Sequence, residues 1–186
     1  TPWRRDRLSK LIFWYVGNVV HEVDKENLVE SGDVLKAEVI PRETNFYPFS
    51  DPTSEYTKML SELTEDTARN SLIIKDVAGE SRKNGGTCLV LTDRKTHCAT
   101  LQEMLAGRGI TAEVLTGDTP DNERKSIVER LNKKRVKVLV ATGQLIGEGF
   151  DCKELSTLFL TTPIRFNGRV LQYLGRVLRP AEGKGK

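Results

Sequence analysis

Residues Thr87-Cys88-Leu89-Val90-Leu91-Thr92-Asp93-Arg94 decide how the rest of the chain is read. From Thr87 to Leu91 the run is short and apolar, with no alternation of polar and apolar positions. A strand with one wet face alternates, so a run that does not is predicted to be buried on both faces. Lys95 then opens a segment with Cys98, Leu101 and Leu105 at helical spacing, closed by Gly107 and Gly109. The same unit repeats downstream. Ile110 to Leu115 reads as a second strand. Thr119 is the expected cap of the next helix and Pro120 its first residue, with Ile127, Val128 and Leu131 on one side. Val136 to Ala141 is a third strand, Thr157 to Leu160 a fourth, and Gly168 to Leu178 a last helix. Strand and helix alternating in units of about 25 residues predict an α/β fold, a parallel sheet with helices on both faces.

Toward the N-terminus, Asp51 is a plausible N-cap and Pro52 suits a first turn. Tyr56, Met59, Leu60 and Leu63 recur at helical spacing behind them. A second helical piece, Ala68 to Lys83, puts Leu72, Ile73 and Val77 on one stripe and is ended by Gly85-Gly86. The first fifty residues differ in character. Arg4 to Val16 reads as a helix, and Val19 to Val23 and Ala37 to Ile40 as short strands, the latter halted by Pro41. The aromatic residues Trp3, Phe13, Trp14, Tyr15, Phe46, Tyr47 and Phe49 suggest a face that packs on a neighbouring domain. The expected division is a leader, 1–50, and a domain, 51–186. Thr1-Pro2, without an initiator methionine, reads as the start of a piece cut from something longer.

Composition bounds the function. The 186 residues are 38% hydrophobic and 30% charged, which suits a soluble globular domain. A net charge of +3 and a pI near 8.7 do not by themselves require nucleic acid, though they allow a local basic face. The longest apolar run, Leu11 to Val16, is far short of the about 20 residues a membrane helix needs, so no membrane partner is expected. Cys88, Cys98 and Cys152 are odd in number and widely spaced, which fits neither a metal site nor a disulfide framework and points to a cytoplasmic, reducing setting. His21 and His97 read as surface or packing residues.

In parallel α/β sheets ligands gather beyond the carboxyl ends of the strands. Those ends here are Thr92-Asp93-Arg94, Thr116-Gly117-Asp118, Thr142-Gly143-Gln144 and Thr161-Thr162-Pro163. Each threonine alone is a turn or cap residue. Four on one sheet edge, beside glycines that allow close approach, suggest a track for phosphate oxygens. On the last helix, Gln172, Arg176 and Arg179 are spaced by four and three and share a face. Two arginines about 5–6 Å apart at their Cβ atoms form a fork suited to phosphate. Gly175 costs roughly 1 kcal/mol relative to alanine inside a helix, which suggests that something approaches there.

These residues resemble the second RecA-like domain of superfamily-2 helicases, of the DEAD/DEAH type. Gln172 to Arg179 is similar to motif VI, Gln-x-x-Gly-Arg-x-x-Arg. Val138 to Thr142 with Gly147-Glu148-Gly149-Phe150-Asp151 resembles motif V, and Leu89 to Arg94 resembles motif IV. Thr116-Gly117 with Arg124 resembles the conserved pattern between them, and Thr1-Pro2 the end of motif III. With Gly147-Glu148-Gly149-Phe150-Asp151-Cys152, the whole resembles DEAD/DEAH-type proteins related to the type III restriction enzyme res subunit, in which that stretch recurs.

The resemblance implies a three-layer RecA-like fold of the P-loop NTPase type with an N-terminal extension. It implies half of a two-lobed motor, its partner the first RecA-like domain of the same polypeptide, with ATP and Mg²⁺ held mainly by that other lobe. Arg176 and Arg179 would act as catalytic arginine fingers. Gln172, Gly149, Asp151 and Gly175 would face the nucleotide. Thr92, Asp93, Arg94, Thr116, Gly117, Thr142, Gly143 and Gln144 would face a nucleic-acid backbone. Glu148, where many RNA-acting members differ, favours DNA over RNA. The chain contains no Gly-x-x-x-x-Gly-Lys-Ser/Thr loop and no acid box, so it is expected to hydrolyse no ATP alone. The alternative is a RecA-like module that only docks nucleic acid or protein.

Overall fold

The computed structural model describes residues 9–17, 38–83, 86–143, 152, 154–164, 173 and 175. Helix α1 is Ser9–Val16. Helices α2 (Tyr56–Glu65) and α3 (Thr67–Ser81) precede β1 (Thr87–Thr92) and α4 (Lys95–Ala106). Then come β2 (Ala112–Leu115), α5 (Asp121–Asn132), β3 (Val138–Thr142) and β4 (Leu155–Leu160). All neighbouring strands pair in parallel, in the order β2-β3-β1-β4.

The unalternating run of β1 has the expected cause. All six of its residues are buried, and successive side chains go to opposite apolar faces. Leu89 and Leu91 join Leu139 and Ala141 of β3 and Ile127 and Leu131 of α5 in one core. Cys88 and Val90 join Val138 and Val140 in another, under Ile74 and Val77 of α3 and Cys98, Leu101 and Leu105 of α4. The sheet is therefore the middle of three layers. Burial pushes the Cys88 and Cys98 thiols up to about 12, so both stay protonated and serve as small core side chains.

Several boundaries move, for local reasons. Asp51 caps no helix. Its carboxylate accepts from the Thr53 amide at 2.8 Å and the Ser54 hydroxyl at 2.9 Å, forming a turn, and α2 begins only at Tyr56. Thr119 caps none either. Its Oγ1 accepts from the Thr116 amide, and α5 starts at Asp121 after Pro120 with no side-chain cap. Asp121 and Glu123 complement the helix dipole instead. Residues 38–40 are exposed and form no strand. The second strand starts at Ala112 rather than Ile110, the third at Val138 rather than Val136, and the fourth at Leu155 rather than Thr157. On α3 the fully buried stripe is Ile74, Val77, Ala78 and Ser81, with Leu72 and Ile73 only partly covered. The expected strand at 19–23 and most of the last helix lie outside the described residues, although Tyr173 and Gly175 are helical.

Residues 42–50 run along α2 and α3. Arg42 Nε pairs with Asp76 Oδ2 at 2.7 Å. Phe46 packs on Met59, Leu60 and Leu63. The Glu62 carboxylate accepts from the amides of Phe49 and Ser50 and from the Ser50 hydroxyl. Tyr47 and Phe49 remain exposed, as do Trp14 and Tyr15 of α1. Gly86, with φ of +101°, takes the chain into β1. A Cβ there would lie 2.6 Å from the carbonyl oxygen of Glu154, so only glycine fits.

Candidate nucleic-acid interface at the strand ends

Because the four strands are parallel, their carboxyl ends share one rim. Thr92 and Thr142 are partners in register at the ends of β1 and β3. A buried hydrogen-bond relay organises the β1 end. Asn70 Nδ2 donates to the carbonyl of Thr64 at 2.8 Å, which orients its Oδ1 toward His97 Nε2 at 2.9 Å. Nε2 must then carry the proton and Nδ1 must accept, from the Thr92 hydroxyl at 2.8 Å. The Arg94 amide in turn reaches Thr92 Oγ1 at 3.4 Å. Every polar atom named has a directed partner, and Asn70, Thr92 and His97 are each at most 2% exposed. The relay ties the α2–α3 elbow, where Asp66 caps α3 by accepting from the Arg69 amide, to the loop that follows β1.

Burial, helped by the nearby Arg69 guanidinium, lowers the His97 pKa from 6.5 to about 4. The unfolded chain therefore takes up a proton at higher pH than the folded one. The stabilisation by neutral His97 is fully present above about pH 6.5 and is lost as pH falls toward 4, amounting to at most about 3 kcal/mol. Urea unfolding at pH 7.5 and 4.5 measures it. The loss between these pH values should shrink in His97→Gln, whereas an equal loss in both proteins would assign the effect to other groups.

The remaining rim residues divide into two groups. Asp93 and Gly117 are exposed, and nothing lies near the Cβ position of Gly117. Thr116 and Thr142 are half-buried. Lys95 Nζ bridges to Asp118 at 2.5 Å, but both are exposed, so the pair contributes little. The Thr92 hydroxyl, by contrast, is spent on His97 and does not face solvent. The Thr161 hydroxyl donates to the carbonyl of Leu91, and Arg69 Nη2 donates to the carbonyl of Thr161. Arg94 is half-buried, with Nη2 donating to the carbonyl of Thr57 at 2.9 Å. The even row of outward hydroxyls suggested by four threonines is therefore not what the rim presents. Thr92 and Thr161 brace it from within.

Gly143 is buried beneath Tyr173, whose hydroxyl donates to the Gly143 carbonyl at 2.6 Å. Gly175 is exposed, with nothing within 4 Å of where a Cβ would stand. Among the described residues no contact requires a glycine there. Gln144, Gly149, Asp151, Gln172, Arg176 and Arg179 lie outside the described residues. Among the described residues no group of histidine, cysteine, aspartate and glutamate side chains could hold a metal ion, and no helix is long and apolar enough to cross a membrane. Sequence reasoning missed Asn70, Arg69 and Tyr173. For Asn70 and Arg69 no signal was available, since α3 meets the rim only through the tertiary fold. For Tyr173 the only signal was its place inside the Gln172–Arg179 motif.

Comparison with known proteins agrees with this geometry. The profile described as the helicase conserved C-terminal domain matches residues 68–181. Probable helicase D10 of Escherichia phage T5 is 34% identical over 100 residues, 54% of this chain and 22% of that protein. T4 UvsW superposes with a TM-score of 0.55 at 21% identity, over 67% of this chain and 25% of that one. The C-terminal domain of the DEAD-box protein Dbp5 does so with 0.53 at 17% identity, over 66% and 68%. The chain spans about a third or less of the length of the curated relatives it matches. With the profile covering more than half the chain, and the parallel sheet and its flanking helices giving the RecA-like fold, the protein belongs to the helicase conserved C-terminal domain family.

Proposed function

We propose that this lobe is the C-terminal half of an ATP-dependent helicase or translocase, supplying Arg176 and Arg179 as arginine fingers and the strand rim as a backbone-tracking surface. The observation that carries the reading is the convergence at one rim. The loops after β1 and β3 meet there, and Tyr173, inside the Gln172–Arg179 motif, is seated on Gly143 between them. Thr116, Gly117 and Thr142 supply hydroxyl and backbone groups that suit phosphate oxygens without base preference, while acidic Asp93 and buried Gly143 shape the rim beside them. Thr92 and Arg94 act from beneath, holding the loop in shape. Gln144 extends the same loop by sequence.

ATP is the expected substrate, with Mg²⁺ held by the partner lobe. Gln172, Gly149, Asp151 and the open side of Gly175 are assigned to its cleft by the motif pattern, and the two guanidinium groups would stabilise charge spreading on the transferred phosphoryl. DNA as the tracked strand rests on Glu148 alone, and kinship with restriction res subunits on Gly147 to Cys152 alone.

A lobe with fingers but no phosphate loop cannot hold ATP in a reactive pose. The purified 186-residue chain is therefore expected to show no ATP turnover, whereas the full-length protein hydrolyses ATP in a nucleic-acid-stimulated manner. Turnover by this chain that disappears in Arg176→Ala would overturn the division of labour. A full-length protein that binds nucleic acid yet never hydrolyses ATP would make the lobe a docking module.

A further inference from the structure

We propose that Tyr173 is a positioning residue, its hydroxyl fixing the segment that carries Gln172, Arg176 and Arg179 against the loop leaving β3. The inference rests on the motor reading above and adds a component to it.

The Tyr173 side chain is 2% exposed and packs with Leu89, Leu91, Leu139 and Ala141 in the core beneath the sheet. Packing alone asks for no hydroxyl there, since a phenylalanine ring fills the same space. A phenol buried this deeply needs a partner, and it has one in the carbonyl of Gly143 at 2.6 Å. The dependence is mutual. A Cβ on Gly143 would stand 2.5 Å from the Tyr173 hydroxyl oxygen, but 3.5 Å from its ring Cζ and 3.7 Å from Asp93 Oδ1. Gly143 is not among the residues of positive φ, so the glycine answers to the hydroxyl above it and not to backbone strain.

The contact stands at a junction. Gly143 directly follows Thr142, which is paired in register with Thr92, and Asp93 lies against it. Tyr173 is helical and precedes Arg176 by three positions in the sequence. A strand backbone that shifts the Gly143 carbonyl therefore shifts the support of the arginine-bearing segment, and a nucleotide gripped by that segment acts back on the loop by the same route. Reciprocity of this kind is a property of linked binding equilibria.

The test uses the full-length protein, a labelled single-stranded DNA oligonucleotide and a non-hydrolysable ATP analogue. The ratio of oligonucleotide Kd without and with the analogue measures the linkage. Tyr173→Phe keeps the ring and should lower this ratio at least about fivefold. If the variant weakens oligonucleotide binding equally in both conditions, or leaves the ratio as it was, the inference is overturned. Thermal unfolding checks the contact separately. Gly143→Ala should lower the unfolding midpoint, and adding Tyr173→Phe should restore part of it, because the methyl's remaining neighbours, ring Cζ at 3.5 Å and Asp93 Oδ1 at 3.7 Å, are at ordinary contact distance. No rescue would mean that the hydroxyl does not govern Gly143, and would overturn the inference. A wild type without any linkage overturns the motor reading and this inference together. Rescue of stability with an unchanged ratio overturns this inference alone.

Discussion

Arg176→Ala in the full-length protein is expected to lower kcat for ATP hydrolysis by on the order of 10³-fold while changing nucleotide affinity far less. A finger meets charge that develops only as the phosphoryl group transfers, so its removal is felt in the transition state and little in the ground state. Arg176→Lys should recover only a fraction of the rate, because an ammonium lacks the planar fork that reaches two phosphate oxygens at once. Steady-state turnover together with equilibrium binding of a fluorescent nucleotide separates the two quantities. Losses of equal size in kcat and affinity would make Arg176 an ordinary binding residue. Arg179, three positions on, belongs to the same helical face by spacing and should show the same division between rate and affinity.

The second large effect is on stability, at the Asn70–His97–Thr92 relay. Asn70→Leu leaves the Nε2–H of buried His97 without its acceptor and the carbonyl of Thr64 without its side-chain donor. Orphaned buried groups cost about 1–3 kcal/mol each, so a loss of about 3 kcal/mol is expected. His97→Leu strands the Thr92 hydroxyl and Asn70 Oδ1 in the same way. Because both changes break one chain, the double variant should cost less than the sum of the two, by more than about 1 kcal/mol. Urea denaturation of the four proteins gives the cycle. Strict additivity would mean that the three side chains do not act as a unit.

The parts legible in the sequence were those in which local pattern and tertiary environment agree. The run from Thr87 to Leu91 announced a strand buried on both faces because both of its faces do meet apolar helices. The spacing of Cys98, Leu101 and Leu105 announced α4, and all three are buried. What misled was polar chemistry with two possible uses. Asp51 and Thr119 are good caps by type, but each spends its oxygen on a nearby turn. The strand-end threonines looked alike, yet Thr92 turns inward to a histidine and Thr161 to the carbonyl of Leu91. Which way a hydroxyl turns depends on what the fold brings beside it. Asn70 lies 27 positions from His97, and no spacing rule joins them. Tyr173 and Gly143 lie 30 apart, and their steric dependence exists only once Tyr173 is seated in the core beside the sheet.

The central claim is that this lobe faces ATP with Arg176 and Arg179 across a cleft shared with a partner lobe. The most direct measurement is a crystal structure of the full-length protein holding ADP and a mimic of the transferring phosphoryl group. Both guanidinium groups are expected within hydrogen-bonding distance of the mimic, with Tyr173 still seated on Gly143. Either guanidinium buried inside this lobe, or turned away from the rim at the carboxyl ends of β1 and β3, would contradict it.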